Sequence, residues 1–141
     1  MPTDALRDFH EISVETMKFG IPQLKKAQED LGSRAHKTFA ARGLISIAAP
    51  GFQSPGVLVY YSPLAIENPA MMQKFKEQGL QIAMGVPWQI DEPEGLKTFR
   101  IGLFGLDKMS NIGDTIETLD EALGKILADC GYTLPDEVAL T

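Results

Sequence analysis

The residues whose types and spacing best suit chemistry lie in the segment Phe99-Arg100-Ile101-Gly102-Leu103-Phe104-Gly105. In an extended strand, Phe99, Ile101 and Leu103 share one face, and Arg100, Gly102 and Phe104 share the other. Arg100 therefore points away from the most apolar face. Gly102, two residues on, has no side chain to cover the guanidinium, so a planar carboxylate has room to approach and accept two parallel hydrogen bonds. By spacing alone, an ion pair with one of the nineteen acidic residues, or plain solvation, accounts for this arginine more simply than a ligand does.

The other candidates have blander readings. His10 and His36 fall on expected helices far apart in sequence and read as partly exposed helix residues, with no role assigned. Cys130 lies in the last turn of an expected helix beside Asp129. A helix C-terminus and a carboxylate both oppose thiolate formation, so it reads as an idle or structural thiol. Trp88, between Pro87 and Gln89, reads as cover for a domain junction ahead of a substrate contact. The groups Asp91, Glu92 and Glu94, and Asp120 with Glu121, read as solvated faces.

The elements that must position Arg100 follow from periodicity. Thr3 as N-cap and Asp4 in the first turn open a helix marked by Ala5, Phe9, Ile12, Thr16 and Phe19, which ends near Gly20. Pro22 suits the first turn of a second helix, whose stripe of Leu24, Ala27, Leu31, Ala35 and Phe39 runs to Arg42 and Gly43. The two are expected to form one bent, elongated unit. Leu44 to Ala48 and Val57 to Tyr61 then read as strands across the turn-forming stretch from Pro50 to Gly56. Asn68 as N-cap and Pro69 open a short third helix, with Met71 and Phe75 on one side and a stop at Gly79. Leu80, Ile82 and Met84 alternate with Gln81 and Ala83 as a third strand, and a loop rich in proline and acid covers Val86 to Leu96. Thr98 to Phe104 is a fourth strand. Ser110 or Asn111 caps a final helix bearing Ile112, Ile116, Leu119, Leu123 and Ile126, which ends before Gly131. Tyr132 to Thr141 shows no sustained periodicity and is expected to fray or to dock on another domain.

This order implies an α+β fold: a small antiparallel or mixed sheet of three to four strands, helices packed on one face, and a long N-terminal helical segment ahead of it. The 141 residues suffice for one core. A net charge of −6 and scattered basic residues oppose a nucleic-acid partner. No apolar run is long enough to cross a membrane, and the N-terminus lacks the pattern of a secretory signal, so a cytoplasmic location is expected. One cysteine and two histidines give poor material for an internal disulfide or a structural metal site.

The segment from Phe99 to Gly105, a short polar loop and SNIGDTIETLDEALGKIL together resemble a signature of class V, fold-type I, pyridoxal-phosphate-dependent aminotransferases of the serine–pyruvate and alanine–glyoxylate type. In it an arginine-isoleucine-glycine strand leads into the last helix. GIPQLKKAQEDLGSRAHKTFAARGL resembles the long helix entering the small C-terminal domain of that family, and SPGVLVYY resembles the strand that follows. The resemblance covers Pro2 to about Leu127, and Arg100 with Ile101 and Gly102 is its most specific part.

The resemblance implies that Arg100 binds the α-carboxylate of the substrate, a small amino acid such as alanine or serine, or glyoxylate or pyruvate as keto acid. It implies pyridoxal phosphate as cofactor of the full-length enzyme, held with the Schiff-base lysine by a large domain and not by this chain, and a homodimeric enzyme. No lysine here sits in surroundings like those of that lysine. MPTDAL resembles the junction after a segment that reaches the partner subunit's cofactor phosphate; Pro2 and Leu6 match, and the residues before it are missing. An expressed domain or truncated reading frame is therefore expected, inactive in transamination by itself. The expected divisions are a helical segment over 1–43, the α+β C-terminal domain over 44–131 and a tail over 132–141. The competing reading is a free-standing, non-catalytic α+β binding or dimerisation module.

Overall fold

The computed structural model describes residues 2–87 and 89–133. The sequence expectation for Trp88, and that for the tail beyond residue 133, lie outside the described residues. Helix α1 spans Thr3–Phe19 and helix α2 spans Ile21–Ala41, with Gly20 between them at φ 94°. Only glycine adopts that φ without strain, so a single residue both ends one helix and starts the next. Thr3 begins α1 rather than capping it: the cap position falls on Pro2, and no side chain bonds the free amides there. None of the α1 side chains is buried, whereas Leu31, Gly32, Ala35 and Phe39 of α2 are.

Strand β1 (Val57–Tyr61), helix α3 (Asn68–Glu77), strand β2 (Ala83–Met84), strand β3 (Thr98–Gly102), helix α4 (Leu106–Ser110) and helix α5 (Ile112–Asp129) complete the order. The sheet is antiparallel in the order β1-β3-β2, with β3 in the centre. The fold is α+β, as expected, and the strand carrying Arg100 is the middle one. Leu58 and Tyr60 stand opposite Ile101 and Phe99. Together with Leu103 they make the buried face, covered by Leu31, Ala35 and Phe39 of α2, Met71 and Phe75 of α3, and Leu119, Leu123, Ile126 and Leu127 of α5. Phe39, Tyr60, Phe99 and Phe75 form a run of rings with successive centroids 4.8, 6.3 and 5.7 Å apart. Burying each such side chain stabilises the fold by roughly 1.5–3 kcal/mol.

Several expected elements are shorter than periodicity suggests. Leu44 to Ala48 is no strand: it meets β1 at one bridge, Ser46 with Tyr60, flanked by hydrogen bonds from Tyr61 N to Ile45 O and from Ile47 N to Val59 O. The Ser46 hydroxyl then accepts from Ala48 N, and the turn closed by Phe52 N on Ala49 O carries the chain away past Pro50. The third strand shrinks to Ala83–Met84 because Leu80 N is used in capping α3, bonding Phe75 O, while Gly79 turns the chain at φ 77°. Asn68 is the first residue of α3, not its cap. The fourth strand stops at Gly102, although Leu103 N still bonds Gly56 O. Gly105, at φ 121°, then opens the short helix α4 where a polar loop was expected.

Two polar clamps tie α2 to the rest. On one side Gln28 Nε2 donates to Pro55 O at 2.8 Å, and His36 reaches Ser54 and Tyr60. Between them lies Gly32, where a Cβ would sit 2.4 Å from Pro55 Cα, so only glycine lets the loop lie this close. At the C-terminal end Arg42 Nε donates to Asp120 Oδ1 at 2.9 Å across to α5. The Arg42 guanidinium lies over Gly124, whose missing side chain leaves the room. Tyr132, after α5, donates to Gly43 O at 3.0 Å.

Candidate functional site

With helices on one face of the sheet, the other face carries Val57 and Val59 of β1, Arg100 and Gly102 of β3, and Ala83 of β2. Val59 and Ala83 are the direct cross-strand neighbours of Arg100 on its two sides. Both are short and apolar, so neither covers nor pairs with the guanidinium. Gly102, opposite Val57, is exposed, and a Cβ added there would meet nothing closer than Phe104 Cδ2 at 3.7 Å. The space beside the arginine is thus open.

Arg100 is partly exposed. Its Nε donates to Met84 O at 2.9 Å, a bond from the central strand to the end of β2. That bond uses one of five N–H donors and fixes the guanidinium against the sheet, leaving the four on the two terminal nitrogens. Among the described residues no carboxylate lies within ion-pair distance of it. The nearby cations are engaged elsewhere, Lys97 with Glu67 and Lys108 with Asp107. A cation held on one edge with its fork unclaimed is suited to a bidentate bond with a carboxylate.

The cavity at this position has a volume of about 430 Å³ and is lined by Val57, Gln81, Ile82, Ala83, Arg100 and Gly102. No lysine lines it. The side chains present can orient an anion, but none can form a Schiff base, so the cavity by itself does not supply the covalent anchor of pyridoxal phosphate. Gln81 is the lining residue that sequence reasoning passed over. The alternation from Leu80 to Met84 already set Gln81 and Ala83 apart from Leu80 and Ile82, and that signal was enough to find it.

The remaining candidates lie away from this cavity. His10 is exposed on α1, and Cys130 is partly buried at the end of α5. His36 is a partly exposed residue of α2, as expected, and it also makes two bonds. Its Nε2 lies 3.0 Å from Ser54 O and its Nδ1 lies 2.6 Å from Tyr60 Oη. Asp120 is not merely solvated either: its hydrogen bond with Arg42 holds its carboxyl below the ordinary value, and the same bond raises Arg42. Among the described residues no helix is long and apolar enough to cross a membrane.

No family model matches the sequence, and no curated protein matches it significantly. Solved structures do match. An alanine–glyoxylate aminotransferase from Nostoc sp. is similar over 79% of this chain and 28% of its own, with TM-score 0.64 and 16% identity. A ureidoglycine–glyoxylate aminotransferase from Bacillus subtilis covers 84% of this chain and 29% of its own, with TM-score 0.67 and 15% identity. An aspartate aminotransferase of subgroup IV from Thermus thermophilus covers 71% and 27%, with TM-score 0.56 and 23% identity. At these identities the likeness is one of fold, and the chain spans under a third of the length of each.

Proposed function

We propose that this chain is the small C-terminal domain of a class V, pyridoxal-phosphate-dependent aminotransferase, and that Arg100 binds the carboxylate shared by its amino-acid and keto-acid substrates. Alanine or serine is the donor in this reading, and glyoxylate or pyruvate the acceptor. The observation that carries it is the Arg100 guanidinium, tethered through Nε to Met84 O and beside the bare Gly102, in a fold shared with part of three aminotransferases.

In this reading residues 1–43 lead into the small domain, 44–131 form it and 132–141 follow it. Pyridoxal phosphate supplies the electron sink for the amino-group exchange and is held by a large domain. This chain contributes binding and orientation: a substrate fixed by its carboxylate presents its α-carbon in one direction. The complete enzyme is a homodimer. The exposed stripe of Leu6, Phe9, Ile12 and Met17 on α1 is the surface that meets the large domain, since an apolar stripe on a helix that buries nothing needs a partner.

The test is a titration of the chain with sodium pyruvate and with glyoxylate, followed by ¹⁵N NMR at the arginine Nε–H and run against sodium chloride at equal ionic strength. The Arg100 signal is expected to move saturably with both keto acids and not with chloride, and Arg100→Ala to abolish binding. Equal response to chloride, or binding unchanged in Arg100→Ala, would remove Arg100 from the substrate site.

A further inference from the structure

Arg100 and Gln81 line the same cavity, and among the described residues they are its only polar side chains. The register pairs Ala83 with Arg100; carried two residues back along an antiparallel strand, it brings position 81 beside Gly102. Gln81 and Gly102 also both line an adjoining cavity of about 470 Å³, so the two positions are close although the strands no longer pair there. At Gly102 no side chain intervenes between Gln81 and the guanidinium.

The Gln81 carboxamide is exposed and makes no hydrogen bond to any described residue. It holds two donors and a carbonyl acceptor unused. A carboxylate has about four lone-pair sites, and the two terminal nitrogens of Arg100 occupy two of them in a forked bond. The geometry points to Gln81 as a second recognition residue: its Nε2–H donates to the carboxylate held by Arg100 and sets the angle of the carboxylate plane. This deepens the proposed function and rests on it. Substitution at position 81 should therefore tune carboxylate affinity, while Arg100 supplies the charge that distinguishes a carboxylate from an ester. The other described residues lining this cavity, Val57, Ile82, Ala83 and Gly102, carry no polar side chain.

Three measurements on the 141-residue chain test the inference. Addition of sodium pyruvate is expected to shift both the Gln81 side-chain amide and the Arg100 Nε–H signals along one saturation curve, and methyl pyruvate to shift neither. Gln81→Ala is expected to weaken pyruvate binding about three- to tenfold, the loss of one solvent-exposed hydrogen bond. In Gln81→Glu the introduced carboxylate is expected to titrate below the ordinary value of about 4.3 because Arg100 faces it, and Arg100→Ala is expected to restore that value. Pyruvate binding that depends on Arg100 but is unchanged in Gln81→Ala would overturn this inference and leave the proposed function standing. No Arg100-dependent binding in the parent chain would overturn both. An unshifted glutamate in Gln81→Glu would show that the two side chains do not face each other and would also end the inference.

Discussion

Tyr60 donates its phenolic proton to His36 Nδ1 across 2.6 Å, and a third residue sets the direction of that bond. His36 Nε2 lies 3.0 Å from Ser54 O, and a carbonyl can only accept, so the ring proton is on Nε2 and Nδ1 is left as acceptor. One imidazole thus joins α2, the loop before β1 and β1 itself. Tyr60→Phe is expected to keep the ring packing on Phe39 and lose the bond, lowering unfolding free energy by about 1 kcal/mol. Urea denaturation checks this. An unchanged midpoint would mean that water replaces the tyrosine hydroxyl at no cost.

The same hydroxyl predicts behaviour in alkali. Burial pushes the Tyr60 phenol up to about 12 from its usual 10.0. The folded state therefore holds this proton where the unfolded chain has released it. Stability is full below pH 10, falls as pH rises from 10 towards 12, and loses roughly 2–3 kcal/mol over that window through this group. Denaturation midpoints across the window should fall more steeply for the parent chain than for Tyr60→Phe. Parallel curves would show that the phenol ionises without opening the core.

Gly32 is where α2 touches the backbone of Pro55, and the smallest side chain already has no room there. Alanine is the better helix former by about 1 kcal/mol, yet Gly32→Ala should still destabilise. Moving the loop also strains the neighbouring bonds of Gln28 and His36, so a net loss of about 1–3 kcal/mol is expected, read as a lower thermal midpoint. A gain in stability would mean that the loop yields freely.

The bond from Arg42 to Asp120 carries a smaller prediction with the opposite pH sense. Because the carboxyl is held below its ordinary value of 3.8, its contribution is present above that pH and is lost as pH falls through the lower, folded-state value. Both side chains are more than a third exposed, so the contribution is at most about 1 kcal/mol. Asp120→Asn should reduce stability slightly at pH 6 and progressively less as pH is lowered past 3.8. A constant difference across that range would assign the effect to packing.

Periodicity sufficed wherever an element buries one face. The stripe of Leu31, Ala35 and Phe39, the alternation of Phe99, Ile101 and Leu103, and the spacing of Leu119, Leu123 and Ile126 are all core positions. It failed where hydrogen-bond competition decides. The amide of Leu80 serves a helix cap rather than a strand, and the Ser46 hydroxyl helps turn a β-rich segment away after one bridge. The open environment of Arg100 was legible because alternation and a neighbouring glycine are local. The face on which Gln81 lies was legible in the local alternation, but the tether to Met84 O and the pairing that brings that face beside Arg100 depend on how two distant segments meet. The two bonds of His36 were not legible for the same reason, their partners lying 18 and 24 residues away.

Helix α1 holds no buried side chain and joins α2 through Gly20. Its 17 residues, rising 1.5 Å each, make an arm about 25 Å long. A turn of about 10° at that one glycine swings the far tip by about 4 Å, more than the length of a hydrogen bond. The two backbone torsions of Gly20 therefore set the direction in which the arm points, and with it the distance between anything seated along the arm and the guanidinium of Arg100.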